Sequence, residues 1–185
     1  MIAYRIFPLD SSASDAQPGG ALWWPRGVQG TGRHDNPDHY ACIYASESEV
    51  SAISEAFAPF RGTGSLTPDM LRRAGLPLAI AELELPDDAD VVDLDDPRTL
   101  VAEGLRPSRV ATARRALTQA DAARMFDAHP AALALRWWST LEGLWPNVTL
   151  FDRARAHLRL VETRTLSFET AAVRDAADFL GLALP

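Results

Sequence analysis

The chain has 185 residues, 47% hydrophobic and 23% charged, which suits one well-buried core, makes a single compact domain over 1–185 the expectation, and argues against disorder or a fibrous architecture. Its net charge of −7 opposes phosphate backbones and weighs against direct nucleic-acid binding. No apolar run approaches the roughly 20 residues of a membrane span and no basic-then-apolar leader opens the chain, so a cytoplasmic address with no membrane partner is expected.

Cys42 is the only cysteine, so no intrachain disulfide can form, and the four histidines lack cysteine partners for a structural zinc site. No metal is expected. All 18 cations are arginine, which removes lysine Schiff-base chemistry and leaves planar guanidinium groups to hold any anion.

Ile2 to Phe7 alternates as a strand with both faces partly covered, Arg5 pointing opposite Tyr4. From Asp10 to Pro37 the composition turns to Ser, Gly, Pro and Asp around Trp23 and Trp24, a long connection of the kind that is functional or mobile, here anchored by the tryptophans. Gly27, Gly30 and Gly32 resemble a phosphate loop only superficially, since no strand leads directly into them and no helix directly follows. Tyr40 to Ala45 reads as a short strand. Ser46-x-x-Glu49 reads as a capping box opening a helix whose apolar stripe is Val50, Ile53, Phe57 and Phe60. Glu55 falls almost opposite that stripe, where a lone carboxylate ordinarily meets solvent.

Arg61 to Leu76 reads as a loop with a short helix, and Leu78 to Leu85 as a strand carrying Glu82 and Glu84 on one face, suited to pairing with arginine. The run from Asp87 to Asp96 lacks the glycine and terminal glutamate of a calcium loop, so it reads as solvated turns with a helix cap at Asp96-Pro97. Ser108 to Leu117 and Thr118 to Ala128 read as helices, the second opened by Thr118-x-x-Asp121. Leu133 to Trp138 alternates as a strand ended by Ser139. Asn147 to Phe151 and His157 to Leu166 are further strands, and Glu169 to Leu180 is an amphipathic helix with Gly181 at its end. The irregular alternation gives an α+β fold, a mixed β-sheet core flanked by helices.

On these residues alone, Arg5 would pair with Glu82 or Glu84, Tyr44 would be a core aromatic, and Ser139 would cap a turn at Ser139-x-x-Glu142. His34 and His39, as loop histidines, would meet solvent more often than act as acid or base.

Several pieces in order nevertheless resemble the RES domain, a family named for its arginine, glutamate and serine. They are Tyr4-Arg5, Gly32-Arg33 with Asn36, Tyr44 leading through Ser46-Glu47-Ser48 to Glu55, Val91-Val92-Asp93-Leu94, and Trp138-Ser139 followed by Asn147 to Asp152. The chain departs from the pattern at His34, where an aromatic is usual, and at Thr140, where an arginine is usual. The resemblance implies a fold similar to the ADP-ribosyltransferase toxins and a bacterial toxin that cleaves the nicotinamide–ribose bond of NAD by hydrolysis or phosphorolysis. It also implies a cognate antitoxin with a helix-turn-helix DNA-binding domain. A mono-ADP-ribosyltransferase acting on a protein, or a non-catalytic interaction module, are the alternatives. NAD would be substrate, with no cofactor besides. Glu55 would stabilise the oxocarbenium-like ribose and Ser139 would hydrogen-bond the substrate. Arg5 and Arg33 would position phosphate and ribose, and Tyr44 would stack on a base ring.

Overall fold

The computed structural model describes residues 1–185. In chain order the elements are β1 (Ile2–Pro8), β2 (Cys42–Ser46), α1 (Glu49–Phe57), β3 (Arg72–Arg73), β4 (Leu76–Glu84), β5 (Val91–Asp93), α2 (Pro97–Ala102), α3 (Pro107–Val110), α4 (Arg115–Ala128), β6 (Ala134–Trp138), β7 (Pro146–Phe151), β8 (Arg159–Thr165) and α5 (Ala171–Leu180). The class is α+β, with antiparallel and parallel pairing both present. No helix is long and apolar enough to cross a membrane. The residues group into two compact units, each built from distant stretches. The first comprises Met1, Trp24–Ala45 and Leu85–Leu158, the second Ile2–Trp23, Ser46–Glu84 and Arg159–Pro185.

In the first unit the strands run in the order β2, β7, β6, β5. β6 lies antiparallel to β7, setting Leu135 opposite Thr149, and parallel to β5, setting Val92 opposite Leu135. Alternation along β6 buries Leu135 and Trp137 and leaves Arg136 and Trp138 half-exposed, as a period of two requires. Tyr40, Leu94, Met125, Leu135 and Phe151 form the centre of this core.

In the second unit β4 is central, with β1 antiparallel on one edge and β8 antiparallel on the other. β1 also sets Tyr4 opposite Ser46. Ile53 and Phe57 of α1 meet Val173, Ala177 and Leu180 of α5 in one cluster, so the expected stripe of α1 is the buried one. Truncating a fully buried phenylalanine such as Phe57 to alanine costs about 3–5 kcal/mol.

Several expectations are corrected. α1 is capped by Ser48, whose hydroxyl accepts from the Ser51 amide at 3.2 Å, two residues beyond the expected Ser46. Val91 and Val92 form β5 rather than a turn, because pairing with buried β6 outweighs the acidic flanks. The helix expected over Ser108–Leu117 stops at Val110, and α4 starts at Arg115, leaving Thr118 inside a helix. Arg5 faces away from Glu82 and Glu84, since it stands opposite Ala81 while Tyr4 stands opposite Glu82. Glu84 pairs instead with Arg159. The Asp96 cap is as expected, its Oδ1 accepting from the Arg98 amide at 2.8 Å.

The two residues joining β3 to β4, Ala74 and Gly75, have φ of 51° and 81°, the positive values a tight type I′ hairpin needs. Alanine is poorly suited to that region and asparagine tolerates it. Ala74→Asn is expected to raise stability by about 0.5–1 kcal/mol, a scale set by left-handed backbone cost. Urea denaturation measures this, and an unchanged or lowered midpoint counts against the turn assignment.

Candidate functional site

The turn Gly30–Asn36, leading toward β2, is organised around one carboxylate. Asp35 Oδ2 accepts from the amides of Gly30 at 2.8 Å and Gly32 at 2.7 Å. Its Oδ1 accepts from the Tyr44 hydroxyl at 2.7 Å and from the Cys42 thiol at 3.5 Å. Burial opposes ionisation of Asp35, but hydrogen bonds led by those from Gly30, Tyr44 and Gly32 outweigh it and hold the carboxyl below its ordinary value. Tyr44 is fixed twice, since its oxygen also accepts from the His34 amide at 2.8 Å. Burial pushes the Tyr44 phenol and the Cys42 thiol up, so both stay protonated. Gln29 completes the edge of β2: its amide nitrogen donates to the Cys42 carbonyl and its oxygen accepts from the Cys42 amide at 3.3 Å.

α4 holds the same turn from outside. Gln119 Nε2 donates to the carbonyls of Gly30 at 3.0 Å and Gly32 at 2.9 Å, and the buried Thr118 hydroxyl donates to the Arg33 carbonyl. Asn36 Nδ2 reaches the Gln119 carbonyl at 3.0 Å and the Tyr40 hydroxyl at 2.8 Å. With its carbonyls and amides satisfied in this way, the turn has a fixed shape although it belongs to no regular element.

Arg33, only 6% exposed, donates through Nη1 to the carbonyls of Val110 at 2.8 Å and Thr112 at 2.9 Å, and its guanidinium lies 4.9 Å from the Trp137 ring centroid. His34 is buried rather than exposed. Its Nδ1 lies 2.8 Å from Thr149 Oγ1, which also accepts from Trp137 Nε1 at 3.1 Å, and its ring meets Trp137 edge-on at 5.3 Å. Histidine thus fills an aromatic slot, which accounts for the departure at this position. Burial, and then the charges of Arg33 and Arg115, push its pKa down to about 3. His39 is exposed, as expected, and its Nε2 lies 2.7 Å from Asp127 Oδ1.

Ser139 follows β6 immediately and is 1% exposed. Its position two residues after Trp137 points both side chains to one side of the strand line. Its amide donates to the Trp145 carbonyl at 2.8 Å, and its hydroxyl accepts from the Leu141 amide at 2.9 Å. Ser139 therefore does shape the turn before β7, but through the amide two residues on rather than at the Ser139-x-x-Glu142 spacing, and no helix directly follows it.

Arg5 and Glu55 belong to the second unit. Arg5 is 7% exposed and donates from Nη1 to the Ala21 carbonyl at 2.6 Å, tying the long 10–23 connection to β1. Burial pushes its pKa down to about 10, which leaves it charged at neutral pH. Glu55 is half-buried on α1, directly after Ser54, whose fully buried hydroxyl has no hydrogen-bond partner. The first unit thus joins Arg33 to Tyr44 through His34 and Asp35. Asp35, Thr118, Gln119 and Thr149 were missed in the sequence. Only Thr118 carried a signal, and it was the wrong one, that of a cap. No group of three or more His, Cys, Asp or Glu side chains is placed to hold a metal ion.

A family model described as RES domain matches residues 2–171. Among solved structures, a chain of the "Crystal structure of the M.tuberculosis MbcT-MbcA toxin-antitoxin complex" is similar in fold, with a TM-score of 0.64, 16% identity, and coverage of 98% of this chain and 87% of that chain. No curated protein matches.

Gly32 is required by crowding: a Cβ there would lie 2.6 Å from both Asp35 Oδ1 and the Tyr44 hydroxyl. Gly32→Ala is expected to cost about 1–3 kcal/mol, the usual scale of overpacking. In a Tyr44→Phe background the same change should cost less, because one of the three clashing atoms is gone and only those of Asp35 remain. Equal costs in both backgrounds, measured by urea denaturation, would remove Tyr44 from the account.

With a folded pKa near 3 against 6.5, His34 binds a proton in the unfolded chain but not in the folded one across that window. Stability therefore falls as pH drops from about 6.5 toward 3, by up to about 1.4 kcal/mol per pH unit from this group. His34→Phe is expected to remove that part of the slope, and unfolding curves at pH 4 to 7 measure it. An unaltered slope would show that His34 is not held neutral.

Proposed function

We propose that this chain, which belongs to the RES domain family, is the toxin of a toxin–antitoxin pair and acts by breaking the nicotinamide–ribose bond of NAD. The observation that carries the reading is the family match over residues 2–171, on a chain whose Gly32-Arg33 turn and Tyr44 are locked into one arrangement by Asp35. A site that is rigid before substrate arrives avoids the cost of ordering it during the reaction.

In the reaction proposed, the bond between ribose C1′ and the pyridinium nitrogen breaks with its electron pair, releasing neutral nicotinamide. Water, losing a proton to solvent, or phosphate then attacks the same carbon, giving ADP-ribose or its 1-phosphate. The ribose passes through an oxocarbenium-like state, and a carboxylate nearby lowers its energy, as in sugar hydrolysis. Glu55 is assigned that carboxylate. Ser139 is assigned a hydrogen bond to substrate rather than nucleophilic attack. The buried His34, whose pKa is depressed to about 3, is a poor base for activating a serine. Arg5 and Arg33 are assigned to phosphate and ribose, and Tyr44 to contact with a base ring through its face, because its hydroxyl is already engaged by Asp35 and His34.

The fold likeness to a chain from a toxin–antitoxin complex supports a protein antitoxin as partner. That this antitoxin carries a helix-turn-helix DNA-binding domain is part of the same proposal. Incubation of the purified chain with NAD, with and without phosphate, tests the activity by release of nicotinamide. Turnover that requires an added protein acceptor would replace the reading with protein ADP-ribosylation, and no turnover in any condition would leave an interaction module.

Glu55→Gln is expected to lower kcat by about 10²–10³, equal to about 2.7–4 kcal/mol of barrier, with the melting temperature kept. Expressed alone in a bacterium, the parent should arrest growth and deplete NAD, and Glu55→Gln and Ser139→Ala should relieve both effects together. Arrest without a fall in NAD would point to a protein target.

A further inference from the structure

Within the first unit, the connection between α2 and α3, α3 itself, the segment that follows it and α4 stand around one opening. They enclose a cleft of about 460 Å³, inside the range of small-molecule pockets. Four arginines and two carboxylates line it. Both carboxylates are already engaged: Asp121 is gripped by Arg109 through Nε at 2.6 Å and Nη2 at 3.3 Å, and Glu103 accepts from Arg124 at 2.7 Å while its other oxygen meets His129 at 2.7 Å. Arg106 and Arg114 are left without an acidic partner, so the cleft carries a local excess of positive charge in a chain whose net charge is −7.

We propose that this cleft binds a phosphorylated small molecule, with the guanidinium groups of Arg106 and Arg114 gripping the phosphate oxygens. Guanidinium forks match tetrahedral oxyanions in two-pronged geometry. The side chains of Ser108 and Thr112 add hydroxyl donors, and half-buried Leu105 and Leu117 offer apolar surface to the remainder of the ligand. The wall is fixed in advance, because Arg33 Nη1 holds the Thr112 carbonyl at 2.9 Å. The charge balance selects the size of the ligand. An acidic macromolecule would meet the negative field of the whole chain, whereas a small anion within the cleft responds chiefly to charges inside a Debye length of about 8–10 Å.

The test uses the isotopically labelled full chain titrated with pyrophosphate and followed by amide chemical shifts, with Arg106→Gln/Arg114→Gln as the double variant. Both side chains are exposed, so the variant should fold. Saturable shifts concentrated in residues 104–117, with affinity at least tenfold weaker in the double variant, are expected. Shifts elsewhere only, or equal affinity in the variant, would overturn the proposal, as would tighter binding of hexaglutamate than of pyrophosphate. NAD turnover in the double variant should keep the parental KM. A tenfold rise would also overturn it, by making the cleft part of the NAD site. If the parent shows no NAD turnover, only the proposed function falls, and the pyrophosphate titration stands by itself.

Discussion

The Asp35 carboxylate is the group on which the 30–36 turn depends, because donors from the turn and from β2 converge on it. Two turn amides, those of Gly30 and Gly32, a phenol and a thiol converge on its two oxygens. A neutral amide in its place would offer one acceptor oxygen and two unwanted donors, setting an N–H against an amide or hydroxyl hydrogen. Charge-assisted bonds from main-chain amides are also the stronger kind. The carboxylate therefore explains why Gly32 has no side chain, why Tyr44 presents its ring in one orientation, and why Arg33 emerges where Val110 and Thr112 can receive it.

Around this centre the first unit distributes its polar side chains as ties between loop and helix. Thr118 and Gln119 sit at consecutive positions of α4 and bind three carbonyls of the turn. His34 joins the turn to β7 through Thr149 and to β6 through Trp137. Such a network is cooperative, so removing one member exposes the unsatisfied groups of its neighbours. The turn can then be rigid without regular structure, which is what a binding loop needs.

What could be read from the sequence were features with a short period. The strands at β1, β6 and β7, the stripe of α1 and the left-handed Gly181 after α5 follow from local alternation, spacing and backbone preference. β5 was hidden because three residues between aspartates have no period of their own, and only the parallel partner β6 makes them a strand. Ser48 displaced Ser46 as cap because β2 runs through Ser46 before the chain turns. Within the candidate site, Arg33 and Tyr44 were singled out by the resemblance to the RES domain, whereas the residues alone made Tyr44 a core aromatic. Asp35, Gln119 and Thr149 were not singled out, since their roles exist only once residues up to 115 positions apart meet. Thr118 shows the hazard of local rules: its spacing to Asp121 has the form of a helix cap, yet its hydroxyl turns to the Arg33 carbonyl.

The absence of lysine has a structural counterpart in how loops are fastened. Arg5 ties the 10–23 connection through Ala21, Arg26 binds the Pro37 carbonyl at 2.6 Å, and Arg33 bridges Val110 and Thr112. Arg153 reaches the carbonyls of Phe126, His129 and Pro130 while its guanidinium lies 3.5 Å from the Phe126 ring centroid. A planar group with five donors can serve two carbonyls and a ring face at once, whereas an ammonium, compact and strongly hydrated, gives up more on leaving water. Buried arginines in this chain are thus fasteners of main-chain carbonyls as well as candidates for substrate. The two roles are compatible in Arg33, where a guanidinium held by Val110 and Thr112 is oriented before any anion arrives. Arg106 and Arg114 differ in having no such tie, and that contrast is what marks their cleft as a place where an anion is received from outside.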